Sequence, residues 1–253
     1  MSKLLTTNFM RLWKDKIFGV CIAVMGGKAL YSAINCLYEV SKFGYEATLD
    51  NFFFDYATYI LVLGAIFCSL FIGTEYSDGT IRNKLIMGYS RQKIYCANLI
   101  VCIIANLIMC LTHIAASLVG LSLGFYTSIT ETLVGVACSL MIVCSISALF
   151  TMISMLSKRK TVAAVICIVL TFLLLLYAYE VRNEVWLART NGEQNVVYEF
   201  LYAFLPSCQS LQLSLDPETV FETSPIIVAI CACVLFVSTT AIGLFLFKKK
   251  DLE

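Results

Sequence analysis

Gly73-Thr74-Glu75-Tyr76-Ser77-Asp78-Gly79-Thr80-Ile81-Arg82-Asn83-Lys84-Leu85-Ile86-Met87-Gly88-Tyr89-Ser90-Arg91-Gln92-Lys93-Ile94-Tyr95 is a polar, basic stretch lying between two membrane-length apolar runs. The sequence on either side is hydrophobic enough to live in lipid, so this segment starts and finishes at a membrane surface. It is long enough for a short helix with its own entry and exit turns. Gly79 and Gly88 are natural breaks, and Asp78 or Ser77 is placed to cap a helix starting near Thr80. Glu75, Arg82, Lys84 and Arg91 offer polar contacts of both signs. The segment reads as a surface built to be gripped by another protein.

Composition supports the membrane reading. The chain has 253 residues, of which 60% are hydrophobic and 14% charged, where a soluble domain carries about 25% charged residues. The deficit marks a polytopic membrane protein. A net charge of +1 gives no global basic field and argues against nucleic acid as a partner. Twelve cysteines suggest disulfides or a metal site, but there is no Cys-x-x-Cys. Cys21, Cys68, Cys102, Cys110, Cys138, Cys144 and Cys167 fall inside apolar runs, as does Cys231-Ala232-Cys233. There cysteine behaves as a small hydrophobe. Only Cys208 lies in a loop-like region.

A membrane helix needs about 20 mostly apolar residues. Six segments qualify, at about 17–37, 56–72, 94–125, 133–156, 161–179 and 226–247. The third exceeds one crossing and is expected to tilt or project into the cytosol. The first is too long for a cleavable signal and lacks a small-x-small site after it. Positive charge sets orientation. With the amino terminus inside, the inner segments hold Lys3, Arg11, Lys14, Lys16, Arg82, Lys84, Arg91, Lys93, Lys158, Arg159, Lys160, Lys248, Lys249 and Lys250, fourteen of the eighteen lysines and arginines. The outer side keeps most of the acids: Glu39, Glu46, Asp50, Asp55, Glu131, Glu180, Glu184, Glu193, Glu199, Asp216, Glu218 and Glu222. The expectation is a plasma-membrane protein with both termini cytoplasmic.

Two shorter segments complete the architecture. Residues 4–14 are amphipathic at helical spacing, with Leu5, Phe9, Leu12 and Trp13 able to share a face and Arg11 and Lys14 off it. This predicts an interfacial helix within 1–16, the alternative being an extension of the first span. In the outer region 180–224, residues 200–213 are apolar but too short to cross, and Pro206 breaks them. They read as re-entrant, with Phe204, Leu205 and Pro206 forming an outer gate, or as an amphipathic helix covering the bundle. The fold class is therefore all-α integral membrane. It comprises six transmembrane helices, an N-terminal interfacial helix and a re-entrant or interfacial segment before the last span, all within one domain over 1–253.

Chemistry-bearing residues are few. The nearest string to a phosphate-binding loop, Gly26-Gly27-Lys28-Ala29, lacks its spacing and its Ser or Thr, so any ATPase is another polypeptide. The single histidine, His113, cannot build a zinc protease site alone. It is either a helix–helix hydrogen-bonding residue or part of a substrate pathway. Lys28, near the middle of the first span, costs a few kcal/mol there unless it meets polar surroundings. It lines a substrate pathway, pairs with an acid, or snorkels outward. Ala116, Gly120 and Gly124 form a small-residue stripe suited to helix packing within or between chains. No catalytic set and no cofactor or metal site is expected.

Several features together resemble the ABC-2 type transporter permeases. These are the basic amphipathic segment before span one, the Gly73-Thr74-Glu75-Tyr76 and Gly79-Thr80-Ile81-Arg82-Asn83-Lys84 strings after span two, and Gly88-Tyr89-Ser90-Arg91 before span three. Leu205-Pro206-Ser207 with Gln209 before span six and the basic tail Phe247-Lys248-Lys249-Lys250-Asp251-Leu252 complete the pattern. The resemblance covers essentially the whole chain. It implies a permease subunit of an ABC exporter, paired with a second permease copy, identical or related, on two separate cytosolic ATPase subunits that bind ATP and Mg. It also implies that the 73–93 loop carries a coupling helix docking on the ATPase, a role that falls on Glu75, Tyr76, Asp78, Gly79, Thr80, Arg82, Asn83, Lys84 and Arg91. Short permeases of this kind resemble exporters of amphipathic or antimicrobial peptides, the lantibiotic-immunity and phenol-soluble-modulin exporters among them, and lipid, drug and ion exporters have relatives of the same shape. A non-transporting sensor or assembly subunit and an intramembrane enzyme remain as alternatives.

Overall fold

The computed structural model describes residues 2–44, 50–119, 129–192, 195–215 and 224–250. Of the residues singled out above, Glu46, Gly120, Gly124, Glu193, Asp216, Glu218, Glu222, Asp251 and Leu252 lie outside these ranges. The helices are α1 (Ser2–Lys14), α2 (Lys16–Phe43), α3 (Asp50–Phe53), α4 (Tyr56–Ser77), α5 (Thr80–Ile86), α6 (Arg91–Ser117), α7 (Ile129–Leu156), α8 (Lys160–Thr190), α9 (Val196–Phe204), α10 (Pro206–Leu215) and α11 (Pro225–Lys249). Among the described residues, six of these, α2, α4, α6, α7, α8 and α11, are long and apolar enough to cross a membrane. The protein is an all-α integral membrane protein.

α4, α6 and α7 pack against one another and form the centre of the bundle. α2 flanks α6 and α4, α8 covers α4 and α7, and α11 lies along α7 and α6. The contact between α4 and α8 is close because Gly73 has no side chain: a Cβ there would stand 2.9 Å from the Lys160 Cα.

Several helix ends differ from the expected spans. The first span continues to Phe43 because no breaker intervenes before Gly44, whose φ of 71° makes the left-handed cap and whose N–H bonds the Val40 carbonyl. The fifth span, expected to stop at 179, runs to Thr190. The charged segment Glu180–Thr190 holds good helix formers and no Gly or Pro, and the chain turns only at Gly192. The third span's expected end at 125 is outside the described residues; α6 itself ends at Ser117.

α1 is a separate helix and not an extension of the first span. The Asp15 side chain accepts from the Ile17 N–H at 2.9 Å and starts α2 afresh. Its buried face differs from the expected one. Leu4, Asn8 and Leu12, spaced at i, i+4 and i+8, are buried, while Trp13 is exposed. α1 is turned so that an asparagine faces the bundle.

At the opposite end, α9 and α10 form a bent helical pair. Pro206 opens α10 where its missing N–H costs nothing, and Leu205 between the helices is extended. From Pro206 to Leu213, α10 is buried on every side among α4, α7 and α8. Cys208, expected in a loop, is in this buried helix. The Gln209 Nε2 donates to the Ala203 carbonyl at 2.7 Å and the Gln212 Nε2 to the Tyr202 carbonyl at 2.8 Å. Two carbonyls that α9 leaves open at its end are thereby satisfied.

Candidate functional site: a buried carboxylate at the basic end

The structure gathers the four basic segments at one end of the bundle. α1, the 73–93 loop, the turn before α8 and the C-terminal residues all meet there, and Glu75 is at their centre. The final turn of α4 turns this carboxylate inward, where it is 1% exposed. Arg11 and Lys84 both donate to its Oε1. Asn98 Nδ2 donates to its Oε2 at 2.7 Å. Asn98 Oδ1 accepts from Asn8 Nδ2 at 2.8 Å, and Asn8 Oδ1 accepts from Lys84 Nζ at 3.0 Å. Glu75, Asn98, Asn8 and Lys84 thus close a ring of hydrogen bonds joining α4, α6, α1 and α5.

Each member bonds to two others of the ring. A buried, fully connected polar network holds its parts in one geometry, because any partner lost leaves a charge or amide unsatisfied in a low-dielectric interior. Two cations face one carboxylate, and the excess charge is led outward by Arg11, whose side chain is 30% exposed. Arg11 also donates to the Phe71 carbonyl at 2.6 Å and lies 3.8 Å over the Phe71 ring. Burial pushes Lys84 below its ordinary pKa, opposed in part by the carboxylate.

The expected coupling residues divide into two groups. Asp78, Arg82 and Asn83 are exposed. Glu75 and Lys84, expected to offer surface contacts, are instead buried, because α5 turns its Ile81–Lys84 face onto the bundle. Thr80 donates to the Glu75 carbonyl at 3.0 Å. Gly79 takes the left-handed turn that starts α5, with φ 66°, so the side-chain cap expected from Asp78 or Ser77 is not formed; Ser77 bonds back to the Gly73 carbonyl. Tyr76 donates to the Met155 carbonyl. Two residues that sequence reasoning did not single out are prominent: Ile86 and Met87, at the tip of α5, are 75% and 67% exposed. Their signal was available. At helical spacing Ile86 shares a face with Arg82, and Met87 with Asn83, away from Ile81.

The C-terminal residues lock onto the same loop. Arg91 Nη1 donates to the carbonyls of Lys248 and Lys250. Lys250 Nζ donates to the Tyr76 hydroxyl and the Met155 carbonyl, both at 2.9 Å, and lies 4.3 Å over the Tyr76 ring. Burial, with a lesser effect of Lys158, lowers the Lys250 pKa from 10.5 to about 8. Between these values the unfolded chain holds a proton that the folded one has released, so this group's contribution to stability rises with pH across that window. Below pH 8 the buried charge carries its full penalty. The thermal midpoint of the natural protein minus that of Lys250→Met is therefore expected to grow from pH 7 to pH 10; a flat or falling difference would contradict the lowered value.

The structure does not bring Lys28 and His113 together. His113 is buried behind α3, its Nε2 3.4 Å from the Phe52 carbonyl and its ring 5.6 Å from Tyr56, a tie between helices. Lys28 lines a cleft at the end of α4 remote from Glu75, where Asp55 is 3.5 Å from its Nζ. Phe204 stacks on Phe200 at 5.4 Å, and Pro206 is buried.

Comparison with curated proteins finds no match. A protein family described as ABC-2 family transporter protein matches residues 4–179. The match takes in most of α1, the loop helix α5 and most of α8, and so the whole ring around Glu75. The chain belongs to the ABC-2 transporter family, as a membrane permease subunit and not the ATPase.

Proposed function

We propose that this chain is the permease subunit of an ATP-driven exporter that moves amphipathic or antimicrobial peptides, or another hydrophobic substrate, out of the cell. Family membership implies association with separate ABC ATPase subunits. In this reading two of them, carrying ATP and Mg, bind the basic end of a permease pair, the second copy being identical or related. That end, with both termini, faces the cytosol, in keeping with its fourteen lysines and arginines. α5 is the docking element. Arg82, Asn83 and Ile86 form its outer face, with Asp78 and Met87 exposed at its two ends. Glu75, Tyr76, Gly79, Thr80, Lys84 and Arg91 support it from behind.

The observation that carries this reading is the hydrogen-bonded ring. A helix of seven residues is too short to hold itself in water, and here a buried ion pair fixes it to α4. Motion delivered to α5 passes to α1, α4 and α6, because separating Lys84 from Glu75 costs more than moving the group as one. Pairing Ile86→Asp with Met87→Asp puts charge on the exposed tip only. Stability is expected to stay within about 0.5 kcal/mol of the natural chain. Capture of the ATPase with the tagged permease is expected to fall about tenfold, the loss of some 1.4 kcal/mol of binding. Undiminished capture, with unchanged export, would remove α5 from the docking surface.

A further inference from the structure

α2 carries a polar stripe that faces a side cleft, with Ser32 buried and Asn35 and Glu39 exposed. Lys28, Ser32, Asn35 and Glu39 recur at i, i+4, i+7 and i+11 and line one cleft of about 240 Å³ between α2 and the α3–α4 turn. The cleft is open at the side: Asn35 and Glu39 are exposed, and Tyr31 and Ile34 beside it are 64% and 66% exposed. Its depth follows from the packing. Phe18 near the start of α2 meets Phe67 midway along α4 at 5.7 Å, and Lys28, about 15 Å further on, reaches Asp55 at the α4 terminus. α2 then continues for about 22 Å to Phe43. The ion pair therefore lies at the end of the α4 crossing, on the side away from the basic end, in a cleft that opens laterally.

A partly buried ion pair is costly unless both charges are well bonded. This one is loose. Nζ is 3.5 Å from the carboxylate, its short bond is to the Ser32 hydroxyl at 2.8 Å, and the two side chains are 28% and 23% exposed. The Tyr59 and Tyr31 rings stand 5.1 and 5.8 Å from the ammonium. A purely anionic guest would take Lys28 and strand Asp55, while a purely cationic one would do the reverse. A guest with an ammonium beside a phosphate serves both. Its phosphate takes Lys28 and Ser32, its ammonium takes Asp55 with Glu39 further along the stripe, and the tyrosine faces suit a cation. The cleft admits one small headgroup, not a folded peptide, and its lateral opening leaves an acyl chain in the bilayer.

We propose that this cleft is a binding site for the ammonium–phosphate headgroup of a zwitterionic phospholipid. The test takes the full-length chain in mild detergent and measures retention of phosphatidylethanolamine, phosphatidylcholine and phosphatidylglycerol of one chain length by native mass spectrometry. The two zwitterionic lipids are expected to be retained about tenfold better than the anionic one, a difference of some 1.4 kcal/mol. Their ratio tells which amine the site prefers. The double variant Lys28→Met with Asp55→Leu replaces the pair by apolar groups of similar size, a change that leaves folds intact, and should abolish the preference. Equal retention of phosphatidylglycerol, or a preference that survives the double variant, overturns the proposal. A photoreactive headgroup on phosphatidylethanolamine should label residues 28–39 of the natural chain. Labelling elsewhere, or a competing amphipathic peptide that displaces the lipid from a different site, also overturns it. Because the readout is lipid retention without ATPase or transport, its failure leaves the export reading untouched.

Discussion

Glu75→Gln is expected to cost about 3 to 5 kcal/mol, the range found when one partner of a buried charge pair is removed. The amide keeps the volume but not the charge, so Lys84, 6% exposed, is left without a counter-ion, and Arg11 loses its inner partner. The thermal midpoint of the detergent-solubilised chain should fall steeply, and α5 should become accessible to protease at Arg82. Adding Lys84→Met should recover a large part of the loss, since the second change removes the stranded cation. Additive losses in the double variant would mean that the two groups do not depend on each other, and the ring would have no mechanical meaning.

Gly243→Ala is expected to destabilise by about 3 kcal/mol, the upper part of the range for overpacking. A Cβ on Gly243 would overlap the Tyr95 Oη and stand 2.7 Å from its Cζ. Tyr95 is fully buried and packs at 6.1 Å from Phe247, so its ring has no free direction to move. The contact joins α11 to α6 directly above Arg91, and the variant should also loosen the C-terminal contacts to the 73–93 loop. The check is the pair of changes. Gly243→Ala with Tyr95→Leu should be more stable than Gly243→Ala alone, because a smaller side chain returns the space. A double variant worse than either single would show that the helices do not meet at this point.

Much of the architecture is legible in the apolar runs. Six crossings follow from length and hydropathy, because lipid imposes the same demand on every segment. The ends are less legible. α8 passes its apolar limit by eleven residues since nothing in Glu180–Thr190 breaks a helix, and hydropathy reports where a helix leaves lipid, not where it stops. The functional end shows the same division. The 73–93 segment was recognisable as a surface element from its charge and glycines, but the direction of Glu75 and Lys84 was not. That direction is set by Asn8 and Asn98, 90 residues apart. Asn98 looks like an ordinary polar residue on an apolar helix and Asn8 like one on an amphipathic helix, and only their pairing gives the carboxylate a reason to face inward. Lys28 shows the limit from the other side. Pairing with an acid was one of three readings open to it, and no local pattern named Asp55 as the acid.

The glutamines of α10 have a consequence for motion. They supply donors to two carbonyls at the end of α9, so the bend satisfies these two carbonyls from within the pair. The Arg189 guanidinium, bound to Glu199 at 2.9 Å, fastens the pair to the far end of α8. The two helices are thereby tied into one piece packed among α4, α7 and α8. What holds that piece in place is apolar contact with bonds such as Thr58 to Ser214 at 2.8 Å and Gln209 to the Val228 carbonyl at 3.5 Å, none of which involves a carbonyl of the bend. Displacing the pair as one piece would leave both of its helices wound.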